Sequence, residues 1–213
     1  MQIDWSNIQT VMLDMDGTIL DLHFDNHFWL QHMPSAYAAK HNIDRHEADQ
    51  ILLPMLEKYA GTLDWYCVNF WQDRLELDIM ALKREVAHKI AYRPEAKNFL
   101  EQCQQNTDDL RLITNSHRRV LDLKIEHTKL DRYFSVMHCS HELDAPKEDV
   151  EFWQRLQKLQ QFDPATTLFI DDSESVLNAA HDYGIKHIYS IAKPDSQIER
   201  TAPSRFRMIE RFV

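Results

Sequence analysis

Residues 11–20 have the sequence VMLDMDGTIL, in which a short apolar run ends in two carboxylates, Asp14 and Asp16, followed by Gly17 and Thr18. The apolar run predicts a buried strand of a parallel sheet that ends in a turn at Gly17. Because side chains alternate along a strand, the two acids lie on the same side of it. Two carboxylates this close repel each other when both are ionised, unless a cation lies between them or one is protonated. The alternative is a strand that is followed by an ordinary Asp-Gly turn.

The composition argues against several classes of partner. The 213 residues include 34 acidic and 24 basic side chains, which gives a formal charge of -10. This balance argues against a nucleic acid or an anionic membrane surface as the main partner. An anionic substrate would need a metal cation and local basic groups. The chain has only 3 glycines and contains neither a G-x-G-x-x-G nor a P-loop pattern, so dinucleotide and P-loop nucleotide binding are not supported.

The sequence carries no sign of export or of membrane insertion. No apolar run approaches the roughly 20 residues of a transmembrane helix, and the N-terminal residues show no basic segment followed by an apolar one. The three cysteines, Cys67, Cys103 and Cys139, lie far apart and form no C-x-x-C pair. These features predict a reduced, cytoplasmic protein.

A helical pattern covers the chain from about residue 29 to residue 90. Asp44 and Asp78 fit the N-cap position, and Pro34 and Pro54 are each expected to begin, kink or split a helix. No run typical of a strand occurs here, which predicts an all-helical insertion. The predicted helices cover residues 28–41, 45–59, 63–77 and 78–90.

From Tyr92 onward, helices and strands alternate. This pattern predicts an α/β fold with a doubly wound, Rossmann-like parallel sheet and right-handed crossovers. Residues 1–20 and 92–213 would form this core, and residues 21–91 would form an α-helical cap inserted after the first strand. The predicted strands of the second part are 110–113, 134–139, 167–170 and 186–191, and its predicted helices are 94–105, 117–127, 148–161 and 175–183.

Polar residues follow the strand ends that would meet at one edge of this sheet. In chain order they are Asp14, Asp16, Thr114, Asn115, Lys147, Asp171 and Asp172. This set matches phosphoryl transfer to a carboxylate. One acid attacks phosphorus, and a second protonates the leaving oxygen and later deprotonates water. Further carboxylates hold Mg²⁺, and a lysine and backbone N–H groups stabilise the charge of the transferring group.

The sequences LDMDGT, ITNS, APKED and LFIDDS, in this order, resemble the four motifs of the haloacid dehalogenase-like hydrolase superfamily. The position of the helical insertion resembles the first type of cap in that family. Each motif alone is a weak signal, and the four together are a strong one. The resemblance implies that Asp14 is a nucleophile that forms an aspartyl-phosphate. It implies that Asp16 is the acid/base and binds Mg²⁺ through its backbone carbonyl.

The same resemblance implies roles for the other motif residues. Thr114, Asn115 and Lys147 would bind the phosphoryl group, and Thr18 would support the first loop beside it. Metal binding would involve both acids of the first motif together with Asp171 and Asp172. One common version of the fourth motif has an acid at the position of Val176. This chain has the adjacent-Asp version instead, so which of Asp171 and Asp172 touches the metal stays open.

The stretches LDLHFDNHFW, DWYCVNFW, LKIEHTKLD, PKED, TLFIDDSE and KPDS, spread over nearly the whole chain, resemble the purine 5'-nucleotidases of this superfamily. This resemblance implies hydrolysis of purine nucleoside 5'-monophosphates such as GMP and IMP. Asn26, His27 and His117 are candidate substrate contacts, although His117 is also placed to begin a helix. The cap aromatics either stack on a base or form the core of the cap: Phe24, Phe28, Trp29, Trp65 and Tyr66.

Two other functions stay open. A sugar-phosphate phosphatase or a β-phosphoglucomutase-like mutase would share the fold, and a mutase would have to keep water away from the aspartyl-phosphate. A non-catalytic binding or regulatory protein would be expected to have lost a catalytic carboxylate, whereas Asp14, Asp16, Asp171 and Asp172 are all present. The expected partner is therefore a small-molecule phosphomonoester, with the oligomeric state left open.

Overall fold

The computed structural model of the chain describes residues 3–198 and 203–212. The two ends of the predicted core, residues 1–2 and 213, and residues 199–202 lie outside this description. The strands are β1 Thr10–Leu13, β2 Asp109–Thr114, β3 Val136–Cys139, β4 Thr167–Asp171, β5 His187–Ile191 and β6 Arg207–Ile209. They form one sheet in the order β3-β2-β1-β4-β5-β6, in which every neighbouring pair is parallel. The predicted α/β fold is therefore confirmed.

Helices lie between the successive strands from β1 to β5 and also form the long insertion after β1. Within the described residues, no helix has the length and hydrophobicity needed to cross a membrane. The helices of the insertion are α1 His23–His27, α2 Met33–His41, α3 Arg45–Tyr59, α4 Leu63–Tyr66, α5 Val68–Leu75 and α6 Ile79–Glu85, and those of the sheet domain are α7 Ala96–Asn106, α8 Arg118–Thr128, α9 Val150–Leu159 and α10 Glu174–Tyr183.

Helices cover both faces of the sheet, and β1 is therefore buried on both sides. Val11 and Leu13 point to one face and pack with Phe99 of α7 and Leu121 of α8. Met12 points to the other face, where it packs with the α9 and α10 helices in a second cluster. A strand buried on both faces has to be apolar throughout. This explains the continuous apolar run from which the parallel sheet was predicted.

The insertion after β1 is all helical, as predicted, and has a hydrophobic core of its own. This core contains Phe28, Leu52 and Trp71, and it extends onto Val120 and Leu123 of α8. The inserted helices therefore pack on the sheet domain through one helix of that domain.

The two connections to the inserted helices pair with each other. Asp21 N donates to Ala91 O (2.9 Å) and Arg93 N donates to Ile19 O (3.0 Å). Arg93 also donates from Nη1 to Thr18 O (3.1 Å). These hydrogen bonds hold the two connecting segments side by side, so that the cap helices return to the carboxyl edge of the sheet.

The cap helices differ from the predicted ones at several places, and the last of them, α6, ends at Glu85 rather than residue 90. Helical structure begins at His23 rather than residue 28, and α1 continues through a wider π-helical turn, Phe28–His32, into α2. The helix predicted at 63–77 is two helices, because Cys67 adopts an extended conformation and its Sγ accepts a hydrogen bond from Phe70 N (3.5 Å). Pro54 neither begins nor splits α3. It lies on the exposed side, where water can bind the carbonyl that its missing N–H leaves without a partner.

The start of α3 provides a test of the cap's local stability. Asp44 accepts a hydrogen bond from Glu47 N (2.9 Å), and the Glu47 side chain accepts one from Asp44 N (3.3 Å). This arrangement confirms Asp44 as the N-cap. We expect Asp44→Ala to lower the free energy of unfolding by about 1 kcal/mol, and Asp44→Asn to retain most of it. Urea unfolding followed by circular dichroism measures both, and equal values for wild type and Asp44→Ala would contradict the expectation.

Candidate functional site

A cavity of about 320 Å³ lies between the carboxyl edge of the sheet and the cap helices. Its sheet side is polar, because the loops that follow β1, β2 and β4 all open onto it. The residues on this side are Asp14, Asp16, Thr114, Asn115, Ser116, Lys147, Asp171, Asp172 and Ser173. All the residues predicted from the strand ends are therefore brought together in one place.

Lys147 is the buried centre of this arrangement. Its Nζ donates to Asp14 Oδ1 (2.6 Å), to Asp171 Oδ2 (2.6 Å) and to Ile113 O at the end of β2 (3.0 Å). The indole N–H of Trp153 donates to Lys147 O (3.0 Å) and fixes the backbone of the loop. One ammonium group therefore ties together the ends of three adjacent strands.

Gly17 allows Asp172 to lie against the first loop. Its φ of +84° falls in the left-handed region, and a Cβ at this position would lie 2.5 Å from the Asp172 carboxylate. No residue other than glycine combines this conformation with this close approach. The glycine of the first motif therefore determines where the last carboxylate of the fourth motif lies.

Asp16 belongs to a second network of buried ion pairs. Lys124 of α8 donates to Asp16 Oδ1 (2.6 Å) and to Asp25 Oδ2 of α1 (2.5 Å), and Lys83 of α6 donates to Asp25 Oδ1 (2.9 Å). Both lysines are almost fully buried. Lys83 also lies 4.2 Å from the centre of the Phe28 ring. This network of ion pairs thus extends from the end of β1 into the interior of the cap.

The charged groups that line the cavity, or pair directly with those that do, are predominantly negative. The carboxylates are Asp14, Asp16, Asp25, Asp171 and Asp172, and the ammonium groups are Lys83, Lys124 and Lys147. Five negative charges against three positive ones leave an excess of two. Burying such an excess is costly, and proteins relieve it by protonation or by binding a cation.

The pKa values respond to this excess. Burial raises the pKa of Asp14 and that of Asp16 to about 6. Burial and the neighbouring carboxylates Asp171 and Asp14 raise the pKa of Asp172 well above its usual value. Asp25 behaves differently, because its two lysine partners outweigh burial and hold its pKa below the usual range. The unbalanced charge is therefore concentrated at the sheet edge rather than in the cap.

The donor set at the sheet edge fits Mg²⁺. Asp14, Asp171 and Asp172 each offer a carboxylate oxygen, and these three atoms lie within 4.8 Å of one another. Oxygen ligands are those that Mg²⁺ prefers, and a divalent cation would cancel the excess of two negative charges. The Asp16 carboxylate is not part of this group, and its Oδ1 accepts a hydrogen bond from Lys124 (2.6 Å).

Asn115 does not present a free amide to the cavity. Its Oδ1 accepts from Lys147 N (3.0 Å), and its Nδ2 donates to Glu148 Oε2 (2.9 Å). The hydroxyl of Tyr66, in α4 of the cap, donates to the other oxygen of Glu148. Thr114 keeps its hydroxyl at the cavity, where it accepts a hydrogen bond from Ser116 N (3.0 Å). Asn115 thus positions the Lys147 loop and a contact with the cap.

The remaining candidate residues lie in several places. Asn26 lines the cavity, but its amide donates to Asp195 Oδ2 (2.7 Å). His27 and His117 are not among the lining residues. His27 stacks 6.4 Å from the ring of His32, and His117 is the N-cap of α8. Thr18 is fully buried, and its hydroxyl has no hydrogen-bond partner within the described part of the chain.

Lys83, Lys124 and Asp25 were not identified from the sequence. A signal for the two lysines does exist. Lys124 follows Leu121 by three residues, and Lys83 follows Ile79 by four, so each lies on the buried stripe of its helix. A lysine at an apolar position of an amphipathic helix has to meet a buried acid. The partner acid, however, could not be chosen from sequence alone.

The chain resembles known proteins in sequence and in fold. The sequence pattern of the haloacid dehalogenase-like hydrolase family matches residues 11–190. GMP/IMP nucleotidase YrfG of Escherichia coli (strain K12) is 37% identical over 198 residues, which cover 93% of this chain and 89% of that protein. Phosphorylated carbohydrates phosphatase of Thermotoga maritima is 22% identical over 196 residues, which cover 86% and 85%.

Among solved structures, a HAD phosphatase from Thermococcus onnurineus superposes with a TM-score of 0.76 at 21% identity, covering 94% of this chain and 93% of that one. At this level of identity the match concerns the fold. It agrees with a parallel sheet that carries an inserted helical cap.

Gly17→Ala tests whether Asp172 belongs to a cation site. We expect this variant to lose most of its Mg²⁺ affinity in isothermal titration calorimetry, because the new Cβ displaces the Asp172 carboxylate. Gly61→Ala is a matched control, since Gly61 has a similar φ of +78° and no atom within 4 Å of the added Cβ. Both variants should lose about 1 kcal/mol of stability from the left-handed conformation. Equal Mg²⁺ affinity in the two would contradict the assignment.

Asp172→Asn tests the excess of negative charge. Because the pKa of Asp172 is raised in the folded state, the fold loses stability as pH rises from the usual carboxyl pKa toward the raised one, and this cost is absent below about pH 4. In a chelating buffer at pH 7, we expect Asp172→Asn to be more stable than wild type by about 1 kcal/mol or more. Added Mg²⁺ should stabilise wild type more than the variant.

Urea unfolding between pH 4 and pH 8 measures this difference. Asp182→Asn, which changes an exposed carboxylate of α10, is the control and should show neither effect. If Asp172→Asn is less stable than wild type at pH 7 without cation, the Asp172 carboxylate does not contribute to an excess of negative charge.

Proposed function

The chain belongs to the haloacid dehalogenase-like hydrolase family, and we propose that it is a Mg²⁺-dependent phosphomonoesterase that acts through an aspartyl-phosphate on Asp14. One observation carries this proposal. Asp14 and Asp16, at the end of β1, share a cavity with Lys147 and with the carboxylates of Asp171 and Asp172.

In the first step, the Asp14 carboxylate attacks the phosphorus of the substrate. A bond from phosphorus to Asp14 forms, and the bond to the leaving oxygen breaks. Asp16 donates a proton to that oxygen. Lys124 holds Oδ1 of Asp16, and no hydrogen bond among the described residues engages Oδ2. This leaves one carboxyl oxygen of Asp16 for proton transfer.

In the second step, Asp16 takes a proton from water while the water oxygen attacks phosphorus. Inorganic phosphate leaves, and the Asp14 carboxylate is restored. Lys147 neutralises the phosphoryl oxygens, and the Thr114 hydroxyl contributes a hydrogen bond. Asn115 acts through the Lys147 loop, because its side chain is already bonded to Lys147 N and to Glu148.

Mg²⁺ would be held by Asp14, Asp171 and Asp172, and when bound it supplies positive charge to the phosphoryl group and to the surrounding carboxylates. We assign both acids of the fourth motif to the neighbourhood of the ion. Asp171 accepts from Lys147 through Oδ2 (2.6 Å) and from Ser173 N through Oδ1 (2.8 Å), whereas no hydrogen bond among the described residues engages the Asp172 carboxylate, which lies against Gly17. Asp172 is therefore the acid of the pair that is free to bind the metal directly.

Residues 21–91 would act as the cap that closes the site, and residues 1–20 and 92–213 as the catalytic core. The cap contributes Asp25, Trp65 and Tyr66 to the cavity. A cap in this position would exclude water from the first step. It also determines which leaving group the cavity accepts.

We assign purine nucleoside 5'-monophosphates as the substrates. This choice rests on the similarity to GMP/IMP nucleotidase YrfG over 93% of this chain. The cap side of the cavity, which includes Trp29, Leu56 and Trp65, supports it because a flat base can be buried there. A sugar phosphate is the second candidate, because the carbohydrate phosphatase of Thermotoga maritima is also similar.

Phosphate release from a panel of monophosphates tests the proposal. The panel contains GMP, IMP, AMP, ribose 5-phosphate and glucose 6-phosphate, each with Mg²⁺ or with a chelator. We expect Mg²⁺-dependent release that favours GMP and IMP. We expect Asp14→Asn to lower kcat by at least about a thousandfold, because the amide cannot accept the phosphoryl group.

Asp182→Asn serves as the control and should have wild-type activity, because Asp182 is exposed and outside the cavity. Full Mg²⁺-dependent activity of Asp14→Asn would show that Asp14 is not the nucleophile. Release from the sugar phosphates but not from the nucleotides would keep the chemistry and reject the nucleotide assignment. Conversion of a sugar 1-phosphate to the 6-phosphate without net release would identify a mutase.

A further inference from the structure

The cap side of the cavity differs in character from the sheet side. It is formed mainly by apolar side chains from four helical segments and from α8 of the core. These residues are Trp29, Leu30, Leu56, Trp65, Val68 and Val120. A leaving group that extends from the phosphate toward the cap would therefore meet aromatic and aliphatic surface.

Four polar side chains on the cap side, those of Asp25, Lys83, Asn26 and Tyr66, each already make a hydrogen bond within the protein. Asp25 and Lys83 bind each other (2.9 Å), and Asn26 donates to Asp195 (2.7 Å). The Tyr66 hydroxyl donates to Glu148. A sugar with several hydroxyl groups would need to break such bonds or leave its own hydroxyl groups without partners, which is costly in a buried site. The free recognition surface of the cap is thus mainly apolar.

Two tryptophans of this surface are held in place by a third. Trp71 of α5 is fully buried, and its indole N–H donates to Trp65 O (2.8 Å). Its ring meets the ring of Trp29 edge-on at 5.8 Å and that of Trp65 edge-on at 6.2 Å. Trp29 also meets Phe28 edge-on at 5.0 Å. The two lining rings are therefore fixed by packing before any ligand arrives, which lowers the entropy lost on binding.

The other cap aromatics near the cavity are core residues. Phe24 and Phe28 are buried, with exposures of 1% and 0%, and they lie beside the Lys83 ammonium group. Trp29 and Trp65 are only half-buried. Within the described residues, no hydrogen bond engages their indole N–H groups. They therefore contribute ring surface to the cavity and are not enclosed in the cap core.

We propose that Trp29 and Trp65 are specificity-determining residues that stack on the base of a nucleoside monophosphate and so distinguish nucleotides from sugar phosphates. This inference rests on the proposed function. Stacking of a base on an aromatic side chain is a substantial and sequence-tolerant contribution. A phosphate ester without a base would gain much less from these rings.

The test compares GMP with ribose 5-phosphate, which keeps the ribose and the phosphate but lacks the base. Trp65→Leu and Trp29→Leu remove the flat ring and keep an apolar side chain, whereas Trp65→Phe keeps a smaller ring. We expect kcat/KM for GMP to fall by about tenfold in each leucine variant. We expect kcat/KM for ribose 5-phosphate to change less than about twofold, since the residues that handle phosphate are untouched. Trp65→Phe should recover part of the loss.

Trp5→Leu is the matched control. Trp5 is also half-buried, but it packs against Phe99 of the sheet domain and does not line the cavity. It should leave the ratio of the two kcat/KM values unchanged. Thermal unfolding of each variant checks that the fold is retained. Equal losses on GMP and on ribose 5-phosphate in the Trp29 and Trp65 variants would overturn the inference.

Equilibrium binding of guanosine to the Mg²⁺-loaded protein separates this inference from the proposed function. Guanosine has the base but no phosphate to release. If wild type hydrolyses no nucleotide but binds guanosine more tightly than Trp65→Leu does, the proposed function fails and the stacking stands. If GMP is hydrolysed while neither tryptophan affects guanosine binding or the kcat/KM ratio, the stacking is wrong and the proposed function stands. Absence of guanosine binding to wild type also counts against the stacking.

Discussion

Neutralisation of buried carboxylates is the constraint on which this molecule depends. Two of the three buried lysines each bind two acids. Lys147 joins Asp14 to Asp171, and Lys124 joins Asp16 to Asp25. A shared ammonium group fixes the relative positions of the elements that carry its partners, because a displaced carboxylate would be left buried and unpaired. Such charges contribute little net stability, but they define one geometry for the ends of β1, β2 and β4. The excess that the lysines leave is what a divalent cation can neutralise.

The same charges join the two parts of the chain. Asp25 belongs to the first cap helix, Lys83 to the last one, and Lys124 to the helix of the core on which the cap packs. The Lys83 ammonium group also lies near the rings of Phe24 and Phe28, so cation–π attraction offsets part of its desolvation. Tyr66 and Glu148 add a second connection on the other side of the cavity. The position of the cap is therefore coupled to both acids of the first motif.

A feature could be predicted from the sequence when it depends on residues that are close together along the chain. The strand at residues 10–13 and the N-cap at Asp44 depend on neighbouring residues and were predicted correctly. The strand ends of a parallel sheet meet at one edge, and this rule was enough to bring Lys147 together with the acids of β1 and β4. Two features depend instead on packing between distant segments, which hydrophobic periodicity does not report. They are the helix break at Cys67 and the ion-pair network of Asp16, Lys124 and Asp25. β6 was missed because its three residues, Arg207–Ile209, are too few for a pattern.

The cap aromatics show the same limit at the level of function. Phe28 and Trp29 are adjacent in sequence, yet one is enclosed in the cap core and the other faces the cavity. Helical spacing alone does not distinguish these positions, because the wider turn at Phe28–His32 rotates the side chains relative to an α-helix. The sheet edge, by contrast, presents charges whose chemistry is independent of the leaving group. The charges of the sheet edge thus lie at strand ends fixed by local sequence, whereas the apolar surface of the cavity is fixed by tertiary packing. For this reason the hydrolase family could be identified from four short motifs, whereas the candidate residues for substrate recognition required the folded chain.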